Sequence, residues 1–186
     1  SEGIGPGQFD VPTSLAVAPD GSVYVTGAEN YRIQKFTSTG EFIAKWGSEG
    51  TGAGQFEDAA FMAVAPDGNV YVTDNGNSRV RRIETIESVG ADQPSTPGDS
   101  TVVDGTDGED SGGDVSTTVA GSGGEAGYVY TLVGSGDYGK SDHGDSKFSG
   151  DGGDAMDAVM NQPRGVAVGS ENHLFIADYN NGRIRM

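Results

Sequence analysis

The chain has 186 residues, with 28 acidic against 11 basic side chains for a formal net charge of −17, and it contains 32 glycines and no cysteine. A field of that sign repels phosphate backbones and anionic lipid, so nucleic acid is not an expected partner; without cysteine, disulfides, thiolate metal sites and cysteine nucleophiles are excluded. No apolar run approaches the roughly 20 residues of a membrane span, so membrane insertion is not expected, and the compartment stays open, a secreted or cell-surface setting included.

The predicted elements start after Gly7-Gln8-Phe9. Residues 14–18 read as a strand rich in small side chains, Pro19-Asp20-Gly21 as a turn, and residues 23–26 as a second strand. Residues 31–36 alternate polar and apolar side chains, as a half-exposed strand should, and after Ser38-Thr39-Gly40 a fourth strand covers residues 41–46. The pattern then restarts. Gly54-Gln55-Phe56, Ala65-Pro66-Asp67-Gly68 and Tyr71-Val72-Thr73 each stand 47 residues after their first occurrence, and fifteen of the 26 residues from 7 to 32 are identical to their counterparts.

A more diverged third copy occupies residues 161–186, placing Pro163 opposite Pro12, Val168 opposite Val17 and Val64, Asp178 opposite Asp74, and Arg183 opposite Arg32 and Arg79. Its offset from the second copy is 104 residues, and composition locates the excess. Residues 92–125 hold eight acidic residues, eight glycines and no basic residue, too little apolar surface to offset the entropy of ordering, so they are expected to form a disordered insertion. Fixed-offset copies of four short antiparallel strands, small-residued inside and amphipathic outside, predict an all-β fold of propeller blades.

The residues that carry the repeat, Gly-Gln-Phe, Pro12, Ala-Val-Ala-Pro-Asp-Gly, Val-Tyr-Val-Thr-Asp, Asn77 and Arg79-Val80, resemble the NHL repeat. The third copy is similar to another common variety of that repeat, in which Gly150-Asp151-Gly152-Gly153-Asp154-Ala155 precedes Asn161-Gln162-Pro163. The resemblance implies a partial ring: blade 1 over about 9–47, blade 2 over about 56–134 with the insertion at 92–125, and an incomplete blade 3 over about 160–186. Three blades where the family usually closes six leave two readings, that the chain is a fragment of a larger ring, or that it self-associates to complete one. Gly27 stands where Asp74 and Asp178 stand in the other copies, so blade 1 lacks that carboxylate.

In such a ring, the connections between second and third strands and those between blades share one rim, the surface the family generally uses for partners. Glu29, Tyr31, Asn75, Asn77, Tyr179 and Asn180 are the candidate contact residues there, beside Asp10, Glu57, Asp58 and Asn161. Asp74, Asp178 and Asn181, together with Asn77, also fit an architectural role, since a short carboxylate before an Asn/Gly turn accepts backbone N–H bonds, and a following Arg can pair with it across blades. The acidic run Asp104–Asp110 lacks the spacing of a calcium loop and reads as solvated chain. His143 and His173 are the only histidines, and nothing spaces them as metal ligands. No catalytic residue, metal site or cofactor is therefore expected. The functional expectation is a non-catalytic scaffold binding a protein or peptide through its rim loops. The alternatives are a fragment of a propeller enzyme, since some relatives of NHL propellers are zinc-dependent lyases rich in metal-binding histidines, and an extracellular sensor domain.

Overall fold

The computed structural model of the protein describes residues 3, 5–85, 119–120, 126–136 and 149–186. The bulk of the insertion at 92–125, the acidic run Asp104–Asp110 and His143 lie outside the described residues. What is described is all β apart from short 3-10 turns, arranged as three antiparallel sheets.

The first sheet is β1 (Pro12–Val17), β2 (Val23–Gly27), β3 (Arg32–Phe36) and β4 (Phe42–Trp46), in that spatial order. The second holds β5 (Ala59–Val64), β6 (Val70–Asp74), β7 (Arg79–Thr85), then β9 (Ala126–Val133) with the short β8 (Val119–Ala120) beyond it. The third holds β10 (Pro163–Val168), β11 (Leu174–Asp178) and β12 (Arg183–Arg185). Each is an up-and-down blade whose first strand is innermost, the architecture of a partial NHL-type propeller. The second blade departs from the expected four strands because Val119 and Ala120 pair with Gly127 and Ala126, adding a fifth at the outer edge.

Local chemistry repeats with the sequence. The inner strands break register at the same place, between Pro12 and Ser14, Ala59 and Met62, and Pro163 and Gly165. In the first two blades a threonine hydroxyl fills the gap this leaves: the Ser14 N–H donates to Thr26 Oγ1 at 2.9 Å and the Phe61 N–H to Thr73 Oγ1 at 3.0 Å. At each Pro-Asp-Gly turn the aspartate accepts the backbone N–H two residues on, Ser22 to Asp20 at 2.8 Å and Asn69 to Asp67 at 3.0 Å.

The core lies between blades. Strand alternation sends Tyr24, Ile33, Ala44 and Trp46 from the first blade against Met62, Val70, Val72 and Ile83 from the second, all of them buried. The opposite face of the second blade, with Tyr71 and Val80, closes in the same way on Val166, Val168 and Ile176 of the third. A plug completes each interface. Phe56 fills the first, lying where a Cβ on Gly47 would come within 2.8 Å of its ring, and Met160 occupies the same place against Gly134 in the second. Both glycines have φ of +108° and face a backbone carbonyl, so no other residue fits without displacing the plug. A fully buried side chain of this size contributes about 1.5–3 kcal/mol of transfer free energy, which makes the contact between neighbours the main source of stability.

Candidate binding rim

The turns joining second to third strands are fastened to the segments that precede each first strand. Ala28 N–H donates to Val11 O at 3.0 Å in the first blade, Asn75 N–H to Asp58 O at 3.1 Å and Gly76 N–H to Glu57 O at 2.7 Å in the second, and Asn180 N–H to Asn161 O at 3.1 Å in the third. Side chains add to this, Asn75 Nδ2 donating to Asp58 Oδ2 at 2.9 Å and Asn180 Nδ2 to Asn161 Oδ1 at 3.2 Å. Glu29, Tyr31, Tyr179 and Asn180 therefore share one rim with Asp10, Glu57, Asp58 and Asn161.

Not all of the candidates present their side chains there. Asn75 and Asn77 are buried at 7% and 4% exposure, whereas Tyr179 is 56% exposed and Glu29 is also exposed. Asn77 turns inward because Asp74 draws it. The fully buried Asp74 carboxylate accepts from Glu57 N–H at 2.8 Å, Asn77 Nδ2 at 2.8 Å and Arg81 Nε at 3.0 Å. Blade 3 repeats the arrangement. Asp178 accepts from Asn161 N–H at 2.8 Å, Asn181 Nδ2 at 2.9 Å and Arg185 Nη1 at 3.4 Å. Burial pushes the Asp74 carboxyl above the ordinary aspartate value, opposed by the Arg81 charge, Asn77, the Glu57 N–H and the Arg81 hydrogen bond.

The arginine of this pair is Arg81, two residues beyond Arg79, and it lies in the same sheet as its carboxylate rather than across a blade boundary. Its fork spans the boundary instead, Nη2 donating to Thr51 O at 3.1 Å and Gly52 O at 3.2 Å in the linking loop. The first blade has a neutral version. Gly27 takes the place of Asp74 and Gln34 that of Arg81; Gln34 Nε2 donates to Gln8 O at 2.6 Å and its Oε1 accepts from Gly7 N–H at 2.9 Å, so the loop is still held. A side chain at Gly27 would lie 2.2 Å from Asn30 Oδ1. Acid and base have gone together, as they must in a site this buried.

Tyr31 is where the rim departs from plain architecture. It has φ of +52° at the position where blade 2 has Ser78 and blade 3 has Gly182, and a bulky residue in the left-handed region is strained. Its phenol is held above the ordinary tyrosine value by the Glu49 carboxylate, then by partial burial, then by Glu29, Glu57 and Asp10. Around one strained aromatic the rim thus gathers carboxylates from both sides of the first blade boundary. Sequence reasoning could have found the strain, because the repeat offset aligns Tyr31 with a glycine. Replacing Tyr31 by glycine is expected to raise stability by about 1 kcal/mol in urea unfolding, since relief of left-handed strain outweighs the added unfolded-state entropy; an unchanged or lower midpoint contradicts the strain.

On the third blade, the Arg164 guanidinium lies 4.3 Å from the centroid of the exposed Tyr179 ring, a cation–π contact that restrains it. Among the described residues no three His, Asp or Glu side chains converge to hold a metal ion. A cavity of about 590 Å³ opens between β9 and the β11–β12 pair, with Leu132, Val133, Ile176 and Ile184 among its walls. Two charged residues in its walls, Arg185 and Asp151, engage each other at 2.7 Å, and Arg185 also meets Asp178.

The sequence profile of the NHL repeat matches residues 9–36, 56–83 and 160–185, the stretches that form the first three strands of each blade. The chain carries three NHL repeats. Among solved structures, this NHL chain is similar to selenomethionine-substituted virginiamycin B lyase from Staphylococcus aureus, at 13% identity and a TM-score of 0.45 over 96% of its own length. It is similar also to a catalytically inactive variant of that lyase crystallised with quinupristin, at 14% identity and a TM-score of 0.46 over 96% of its length. The NHL chain spans 41% of the length of either lyase structure. No curated protein matches it.

Proposed function

We propose that the chain is a non-catalytic NHL scaffold whose rim at the first blade boundary binds a basic segment of a protein or peptide. The observation that carries this reading is Tyr31, kept in a strained left-handed conformation within the field of Glu49, Glu29, Glu57 and Asp10. Strain retained at a half-buried aromatic on the rim marks a position chosen for something other than stability. Tyrosine offers a large contact area for few rotatable bonds, and carboxylates around it suit the ammonium and guanidinium groups of a cationic ligand. The net charge of −17 steers such a ligand toward the protein and repels acidic ones.

Fluorescence anisotropy with a labelled Lys/Arg-rich peptide and its Glu-rich counterpart tests the proposal. The basic peptide is expected to bind with an affinity that falls as salt rises, the acidic peptide not at all, because exposed charges are screened within about 10 Å at 0.1 M salt. Tyr31→Gly and Glu49→Gln should each weaken binding several-fold while leaving the fold intact by circular dichroism. Equal binding of both peptides, or indifference to both substitutions, would rule this rim out.

A further inference from the structure

In the middle blade the large apolar side chain of Phe61 is 42% exposed. Leu15 and Val17 in the first blade and Phe175 and Ile184 in the third are exposed too, but their sheets have a described neighbour on one face only, whereas β5 packs on β1 on one side and on β10 on the other. A missing neighbour therefore does not account for Phe61. Neither does the repeat: Ser14 stands at its place in the first copy, 47 residues earlier, and Gly165 in the third, 104 residues later. The middle copy alone puts an aromatic ring there.

The ring stands on a main chain that is already fixed. Phe61 lies in the register break of β5, where its N–H donates to Thr73 Oγ1 at 3.0 Å and its carbonyl accepts from the same hydroxyl at 3.3 Å. From the first blade, Thr13 Oγ1 lies 3.3 Å from Ala59 O and Thr26 Oγ1 3.2 Å from Ala60 O, while Met62 N–H donates to Ser14 Oγ at 3.3 Å. The residues on both sides of Phe61 are thus tied across the first blade boundary, and β5 is the inner edge strand of its sheet. An exposed aromatic held in advance loses little further freedom when a ligand covers it, which favours its use as an anchor.

Charge decides what covers it. Glu57 and Asp58 precede Phe61 on the same segment and Asp10 precedes β1, and Glu57 and Asp10 are among the carboxylates whose field reaches Tyr31. On the other flank β10 presents the exposed Arg164, stacked on Tyr179. Carboxylates on one side and a cation on the other orient a ligand, with its basic group toward Tyr31 and an uncharged side chain at Phe61. From this we infer that Phe61 is the apolar anchor of the rim, so that the segment bound there joins a Lys or Arg to a large aliphatic or aromatic side chain rather than being uniformly basic.

The anchor rests on the rim binding a basic ligand, as proposed, and the experiment keeps the two apart. Fluorescence anisotropy compares two labelled Lys/Arg-rich peptides of equal charge, one with a central leucine and the other with serine in its place. The leucine peptide is expected to bind about tenfold more tightly, since covering one such side chain contributes on the order of 1.4 kcal/mol or more, a factor of ten. Phe61→Ser, which copies Ser14, should abolish that difference while leaving the circular dichroism and the affinity of the serine peptide unchanged; Phe61→Leu should retain most of it. Equal, salt-sensitive binding of both peptides to the unsubstituted chain would sink the anchor and leave the rim reading standing, and a leucine preference that survives Phe61→Ser would place the apolar contact elsewhere and sink it as well. Binding of neither peptide at any salt concentration would end both.

Discussion

Replacing Asp74 by alanine is expected to cost about 3–5 kcal/mol of folding stability, the range for breaking a buried ion pair from one side. The cost comes from what is left behind. Arg81 is fully buried, and without Asp74 its guanidinium loses a carboxylate while keeping the neutral acceptors Thr51 O, Gly52 O and Thr131 Oγ1. Asn77 Nδ2 keeps Gly50 O, while Glu57 N–H loses its carboxylate acceptor. The first blade indicates how the damage can be repaired. Combining Asp74→Gly with Arg81→Gln reproduces Gly27 and Gln34, two uncharged positions where the amide, with Arg32 beside it on the same Gln8 carbonyl, holds the segment that precedes the first strand. Removing both charges is therefore expected to be milder than the sum of the two single losses by about 2 kcal/mol, a coupling within the range for residues in one network. Urea unfolding of both single variants and the double variant measures it directly. If the double variant is as unstable as the singles summed, Asp74 and Arg81 do not act as a unit, and the neutral set in the first blade is not a substitute for them.

Much of the blade order was legible because it depends on short-range pattern. Residues 23–26 and 31–36, with apolar side chains at alternate places and a Pro-Asp-Gly or Asn-containing turn beside them, leave the chain few other ways to pair, and β2 and β3 fall on them within a residue. The fixed offset of 47 then carried the same assignment into the second blade. The rim was harder to read. Asn75 and Asn77 look alike in sequence to exposed turn residues, and only the positions of Asp58 and Asp74 draw their amides inward. Aligning Arg32, Arg79 and Arg183 did not single out the partner of Asp74: Arg79 stands directly opposite it in the strand register, yet Arg81, two residues further on the same face, makes the 3.0 Å contact. A signal was present all the same: at the repeat offset Gly27 and Gln34 replace Asp74 and Arg81 together, and a joint change of opposite charges is what a buried pair requires. Which aromatics would be exposed was not visible either, since Phe175 and Tyr71 share a repeat position and differ only in whether another blade lies beyond them.

That last distinction can be turned into a measurement. Val72→Asp is expected to abolish cooperative folding. Val72 is fully buried in the cluster that holds Tyr24 and Trp46, and aspartate there forfeits about 1.5–3 kcal/mol of apolar burial and buries a second carboxylate where the facing cation, Arg81, is already engaged by Asp74, which costs several kcal/mol more. A loss of that size consumes most of the 5–15 kcal/mol that holds a typical domain together. Trp46 reports it, because the ring is fully buried and stacked on Tyr24 at 6.2 Å, so its near-ultraviolet signal and blue-shifted emission should disappear. Val25 occupies the same place in the first repeat, with the same strand pairing, but it is only partly buried because its face is the leading end of the stack. Val25→Asp should therefore leave a cooperative transition and a native Trp46 spectrum. Equal damage from both substitutions would mean that the strand itself sets the cost; a large difference assigns it to the neighbouring blade, the contact on which the whole stack depends.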